Sequence, residues 1–295
     1  MWKMAYRNEK ERMRNLNTFI IERLKLNKNS RVKDKLRPTH FFEFQEIIAN
    51  KLKNLGDNKE YLDLKDLDIS DYKGSGHQDE RFDRILRKFL SSYNTKYDYN
   101  IKYIDVTGWD LTHIDSVSGL FHELQDIEEI IGVDDWDMSN VEHIEWIFSD
   151  CVNLKNIGNL GKWKFNNLKR AQGFIYGCQH LKTIGDISKW DMSNVNFLTN
   201  MFAHCYELQD VGEIGNWNLS SCISYRRMFY YANNLRNVGD LTKWNKYLKS
   251  NIQNIKNRYN GHLGDGFEEI FDNSPVEYDY DLIITEKTAK IKKLV

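Results

Sequence analysis

The sequence predicts an α/β solenoid, a stack of 27-residue coils that each contribute one helix and one short strand. Three observations predict it. Trp109, Trp136, Trp163, Trp190, Trp217 and Trp244 fall at an unbroken spacing of 27, and they are six of the eight tryptophans in the chain. Apolar columns on either side of the tryptophans keep the same period. No single unit has two apolar faces to close on each other, so neighbouring units must bury one another's.

The columns define the unit. Twelve residues after the tryptophans stand Phe121, Phe148, Ile175, Phe202 and Phe229, with Leu120, Ile147, Phe174, Met201 and Met228 just before them. Leu124, Cys151, Cys178, Cys205 and Ala232 follow, then Ile127, Leu154, Leu181, Leu208 and Leu235. From Val195 the apolar positions Val195, Leu198, Met201, Phe202 and Cys205 step by 3, 3, 1 and 3, which is the stripe of an amphipathic helix. Leu208, Val211 and Ile214 continue as a short extended segment, with Gly212 easing the bend. Thr112, Ser139, Ser193 and Ser220, three after a tryptophan, suit helix N-caps. Strands stack about 4.8 Å apart and helices about 8–10 Å. Such a stack is expected to curve, with its strands on the narrower side.

The ends depart from the pattern. Residues 1–37 carry twelve Lys/Arg against four acids, whereas the whole chain sums to −1. We read this stretch as a basic helical segment and Arg7, Arg12, Arg14 and Arg23 as candidate nucleic-acid contacts. Residues 38–100 read as an N-terminal cap. It holds an amphipathic helix from His40 to Leu55 and a degenerate unit with Leu67 in the tryptophan place, whose helix would run from Phe82 to Phe89. The regular array spans 101–245. Residues 246–295 read as a C-terminal cap and tail in which the register is lost. There the stretch 246–262 is polar and exposed, Phe267–Ser274 is a last helix, Tyr278–Thr285 is a capping strand, and 287–293 is frayed.

Few polar clusters suggest chemistry. Cys151, Cys178 and Cys205 share one column, so they read as buried thiols on successive coils, with Cys222 partly exposed. Histidines are scattered, no phosphate or nucleophile motif is present, and neither a metal nor a cofactor is expected. Asp105, Asn159, Asp186, Glu213 and Asp240 share the column four before the tryptophan. This acidic stripe is the candidate protein-binding column of the strand face. Asp110, Asp137 and Asp191 read as turn formers.

The units Trp136-Asp137-Met138-Ser139-Asn140-Val141 and Trp190-Asp191-Met192-Ser193-Asn194-Val195, each followed by a Phe and a Cys, resemble the BspA-type leucine-rich repeats. The resemblance is to the variety common in mycoplasma lipoproteins, gut bacterial surface proteins and phage-encoded proteins. It implies a leucine-rich-repeat solenoid with a helical N-terminal cap.

The expected function is that of a non-enzymatic protein-binding or assembly scaffold, phage- or virus-encoded and acting in a virion or on a host. A bacterial surface adhesin and a nucleic-acid-associated protein are the alternatives. The longest apolar run near the start, Phe19-Ile20-Ile21, falls short of a signal-peptide core, so a cytoplasmic or virion-associated place is expected over a secreted one. No stretch reaches the ~20 apolar residues of a membrane span.

Overall fold

The computed structural model describes residues 36–55, 59–72, 86–90, 100–285 and 288–294. The basic residues Arg7, Arg12, Arg14 and Arg23 lie outside the described residues, as does most of the expected helix from Phe82 to Phe89. Its last part is described as the short helix α2, Arg87–Leu90.

At the N-terminal end, helix α1 spans Phe41–Lys53 and buries Phe44, Ile48 and Leu52. Strand β1 (Tyr61–Asp63) pairs in parallel with β2 (Tyr103–Asp105), and β2 with β3 (Glu129–Ile131). The Tyr61↔Tyr103 register puts the first unit 42 residues before the next. Leu67 therefore stands one unit ahead of Trp109.

Beyond β3 the coils pair residue by residue at an offset of 27. Ser116, His143, Arg170, Phe197 and Ser224 form one row of parallel bridges, seven residues after the tryptophans. Seven residues before them, Glu129 bridges Asn156, and Thr183, Asp210 and Asn237 form a further run. The interior between these rows is built from the predicted columns. Val141, Ile144, Ile147, Phe148, Cys151, Leu154 and Ile157 are all fully buried, as are their equivalents from Val195 to Ile214.

The tryptophans form one interior row. Trp109, Trp136, Trp163 and Trp190 stack nearly parallel at ring separations of 6.0, 6.4 and 5.7 Å. The indole N–H of Trp163 donates to the Val133 carbonyl at 2.8 Å. Trp190, Trp217 and Trp244 repeat that bond to Leu160, Ile187 and Ile214 at 3.0–3.2 Å. Trp109 makes it to Leu64 of the degenerate unit. The indole N–H of Trp136 has no partner. Thiols reach across coils in the same way, since Cys151, Cys178 and Cys205 donate to the carbonyls of Phe121, Phe148 and Ile175 at 2.9–3.0 Å.

One expectation is overturned inside every 27-residue unit. Between residues 100 and 244 the described chain contains no α-helix. The stretch read as a helix is a succession of four-residue turns. Ile147 N–H donates to Ile144 and Cys151 N–H to Phe148, closing two of them. Alternate residues donate to the next coil instead, Trp146 to Gln172, Phe148 to Phe174 and Asp150 to Tyr176. Apolar spacing of 3 and 4 fits both arrangements; what differs is the partner of each N–H, an internal carbonyl in a helix and the neighbouring coil here. Both sides of the stack are thus held at hydrogen-bonded spacing, and the reason for curvature disappears. The expected N-caps are corrected too. Asp137, Asp191 and Asn218 accept the backbone N–H of Ser139, Ser193 and Ser220, so the serines lie in side-chain-closed turns.

The C-terminal end also differs. The register resumes after Trp244. Tyr225, Arg227, Phe229 and Tyr231 donate to Gly266, Glu268, Ile270 and Asp272, and Phe229 stacks on Phe271 at 6.0 Å. Phe271 stands 42 residues after Phe229, the same lengthened unit as at the other end. The extra residues hold helix α3 (Asn245–Arg258), which buries Leu248, Asn251 and Ile255, so the polar stretch 246–262 is only partly exposed. Phe267–Ser274 is a coil of turns and not a helix. After α4 (Val276–Asp279), strand β4 (Tyr280–Ile284) pairs antiparallel with β5 (Ala289–Lys293). The segment expected to be frayed is therefore a strand. Ala289 and Ile291 bury its inner face, and the Asn245 side chain exchanges two hydrogen bonds with the Ile291 backbone at 2.7 and 2.8 Å.

Candidate functional site

The turn face has an unusual backbone. In the coils carrying Phe121, Phe148, Ile175, Phe202, Phe229 and Phe271, the residue two before and the residue two after are all left-handed. These are Gly119, Trp146, Gly173, Asn200, Arg227 and Glu269, then Glu123, Asp150, Gly177, His204, Tyr231 and Asn273, with φ between 51 and 72°. A turn whose third residue has positive φ favours Gly or Asn there. Five of these twelve positions are Gly or Asn. The remainder carry side chains at a conformational cost of about 1 kcal/mol each.

Those side chains and their neighbours make a continuous row of half-buried rings along the stack. Trp146 meets Tyr176 edge to face at 6.1 Å. Tyr176 meets His204 at 5.3 Å, and His204 stacks on Tyr231 at 5.3 Å with ring planes 9° apart. Tyr230 packs against both His204 and Tyr231, at 5.4 and 4.6 Å, and Tyr206 flanks His204 at 6.1 Å. Glycine makes room for the start of the row. A Cβ at Gly173 would lie 1.9 Å from the Trp146 ring, so the indole rests directly on the next coil's backbone.

Charge along the row is uneven. Arg227 pairs with Glu269 and, at 3.6 Å, with Glu268; Arg226 pairs with Glu268, and Arg87 with Glu123. Asp150 and Asp272 have no Lys or Arg partner among the described residues. The Asp150 carboxylate accepts from Ser149 Oγ at 3.0 Å and fills the space over Gly177, where a Cβ would come within 2.7 Å of it. Burial raises its pKa above the ordinary carboxylate range. Burial, together with Glu277 and Glu269, raises that of Asp272 in the same direction. His204 is held below the ordinary imidazole range, again by burial.

The acidic column expected from the sequence is placed differently from the ring row. Asp105 is buried; burial works against its charge, but hydrogen bonds from Tyr61, Thr107 and Lys65 outweigh it and lower its pKa. Asn159, Asp186 and Asp240 accept from Gly161, Ser188 and Thr242 two residues on, at 2.9–3.0 Å, which closes the turn ahead of each tryptophan. Asn159, Asp186 and Glu213 are exposed, and Asp240 is partly so. Most of this column therefore shapes its own backbone before it can meet anything else. Cys222, expected partly exposed, is fully buried, and burial pushes its thiol up to about 12. The other three thiols are also buried and raised.

The ring row was missed in the sequence because its members come from adjacent columns that share a face only once the alternating backbone handedness is known. One signal was available. Trp146 is a tryptophan outside the 27-residue series, in a column that also holds Gly119, Gly173, Asn200 and Arg227.

Among the described residues, no group of three or more His, Cys, Asp or Glu is placed to hold a metal ion. No helix among them is long and apolar enough to cross a membrane. A family model described as "Mycoplasma protein of unknown function, DUF285" matches residues 88–185 and again 158–263, together more than half of the chain. No curated protein and no solved structure matches.

Proposed function

The chain belongs to the Mycoplasma DUF285 family, a repeat family of unknown function, and we propose that it is a non-enzymatic protein-binding module. In this reading the stack is a leucine-rich-repeat solenoid of BspA-like type, and the partner lies along its turn face. One observation carries it. The interior columns repeat almost unchanged, whereas the turn face holds a non-repeating row of half-buried rings from Trp146 to Tyr231, three of which (Trp146, His204 and Tyr231) stand at backbone positions where Gly or Asn would be less strained. Tyr, Trp and Arg are the residues that dominate protein interfaces, and an extended face is the surface repeat proteins offer. The acidic column at Asn159, Asp186 and Glu213 is the weaker choice, since it serves turns first.

Site-directed photo-crosslinking in the cell that encodes the protein tests this. Benzoylphenylalanine in place of Tyr206 should capture a defined protein, and the same residue in place of Lys155, away from the row, should not. Equal capture from both positions, or none from either, removes the reading.

A further inference from the structure

The ring row carries a second piece of information, the charge of what it meets. It ends in two carboxylates, Asp150 and Asp272, that no Lys or Arg among the described residues pairs with. Asp150 donates its backbone N–H to Tyr176 on the next coil near one end, and Asp272, on the coil after Tyr230, accepts from the Tyr231 N–H at the other. Every arginine described along the row is already paired with Glu123, Glu268 or Glu269. What remains is negative charge flanking ring faces. That combination attracts a cation twice, by the carboxylate and by the ring quadrupole.

Building on the reading of the chain as a protein-binding module, we propose that the turn face binds an extended peptide with two arginines about six residues apart, one at Asp150 and one at Asp272. The spacing follows from the stack. The coils of Phe148, Ile175, Phe202, Phe229 and Phe271 are successive, so the coils that carry the two carboxylates, in neighbouring columns, are four steps apart. At about 4.8 Å per step that is ~19 Å, the length of about six residues of extended chain. Residues i and i+6 of such a chain point to the same side, so both cations face the row together. Between them, Tyr176, His204 and Tyr231 offer rings at 5.3 Å steps, on which the peptide's intervening side chains lie. Arginine fits better than lysine because a planar guanidinium can bond a carboxylate and lie on a ring at once.

The probes are fluorescein-labelled peptides of glycine and serine carrying two arginines three, six or nine residues apart, read by fluorescence anisotropy against the full chain. The six-residue spacing should bind tightest, with affinity falling as salt is raised. Citrulline, neutral and nearly the same shape, should weaken binding about tenfold in place of either arginine. Asp150→Asn and Asp272→Asn should each cost the same factor, and citrulline at the matched arginine should then cost nothing more. Both substitutions conserve shape, and a melting transition no lower than that of the wild type confirms that the stack is intact. The proposal is overturned by equal affinity for all three spacings, by wild-type affinity in both Asn variants, or by tighter binding of chitohexaose or heparin than of the six-spaced peptide. Photo-capture at Tyr206 separates this failure from that of the module reading. A partner caught equally by wild type and the double Asn variant leaves a binding module that does not read cations, while no capture at all removes the module itself.

Discussion

Two rows of aromatic rings run along the same stack, one inside and one on the turn face, and they obey different rules. The inner row is the same residue in every unit from Trp109 to Trp244, fully or almost fully buried, with rings nearly parallel where they stack. The outer row changes residue at each coil and mixes edge-to-face with stacked contacts. Inside, each indole must fit the ones above and below it, so any solution that works once must be repeated. Outside, a coil is constrained only by its own turn, and residue identity is free to answer to something else. Uniformity along a repeat marks packing, and departure from it at a conformational cost marks a site.

That contrast can be broken from the inside first. Trp163→Ala removes an indole that is 1% exposed and stacked on both sides, and should destabilise the fold by about 3–5 kcal/mol in a denaturant titration. A loss below about 1 kcal/mol would mean that the rings are not a shared core. Next comes the outer row's foundation. Gly173→Ala places a methyl in the Trp146 ring at a φ of 61°, and should cost about 2 kcal/mol while changing Trp146 fluorescence. Unchanged emission would show that the indole does not rest there.

A finer test separates stacking from hydrogen bonding in the inner row. Trp190→Phe takes away a bond to Leu160, whereas Trp136→Phe takes away an N–H that has no acceptor. The first should be less stable than the second by about 1 kcal/mol. Equal losses would show that the indole bonds contribute nothing measurable.

The smallest effect lies at Asp150. Its folded pKa is raised by burial, so its charged form is penalised in the native state, and the penalty is present above that pKa and relieved as pH falls through it. Asp150→Asn should therefore be more stable than wild type at pH 7, by up to about 0.5 kcal/mol, with the gain fading towards pH 4. A variant less stable at neutral pH would show that the carboxylate serves the fold.

Much of this architecture was readable in advance. The period, the interior columns and the degenerate unit at Leu67 all follow from the demand that coils bury one another. The secondary structure inside a coil was not readable, because Val195, Leu198, Met201, Phe202 and Cys205 have a spacing that a helix and a chain of turns share. Left-handed positions would have separated the two, but only Gly119, Gly173 and Gly177 announce them clearly, while Trp146, Arg227 and Tyr231 conceal them. The acidic column was legible as a column and not as a set of turn-closing acceptors. The outer ring row depended on both hidden facts and could not be assembled without them.

The bonds that replace helix hydrogen bonds have a consequence for how the molecule opens. A helix can fray by itself, because each amide's partner is four residues away. Here the amides of Trp146, Phe148 and Asp150 are tied to the following coil, so none is released until two whole layers part. Amide exchange should then be slowest in the central layers and quicken towards both termini, like a book whose pages come loose from its covers inward. The extra length carried by the last unit, helix α3, sits where that loosening would begin at one end.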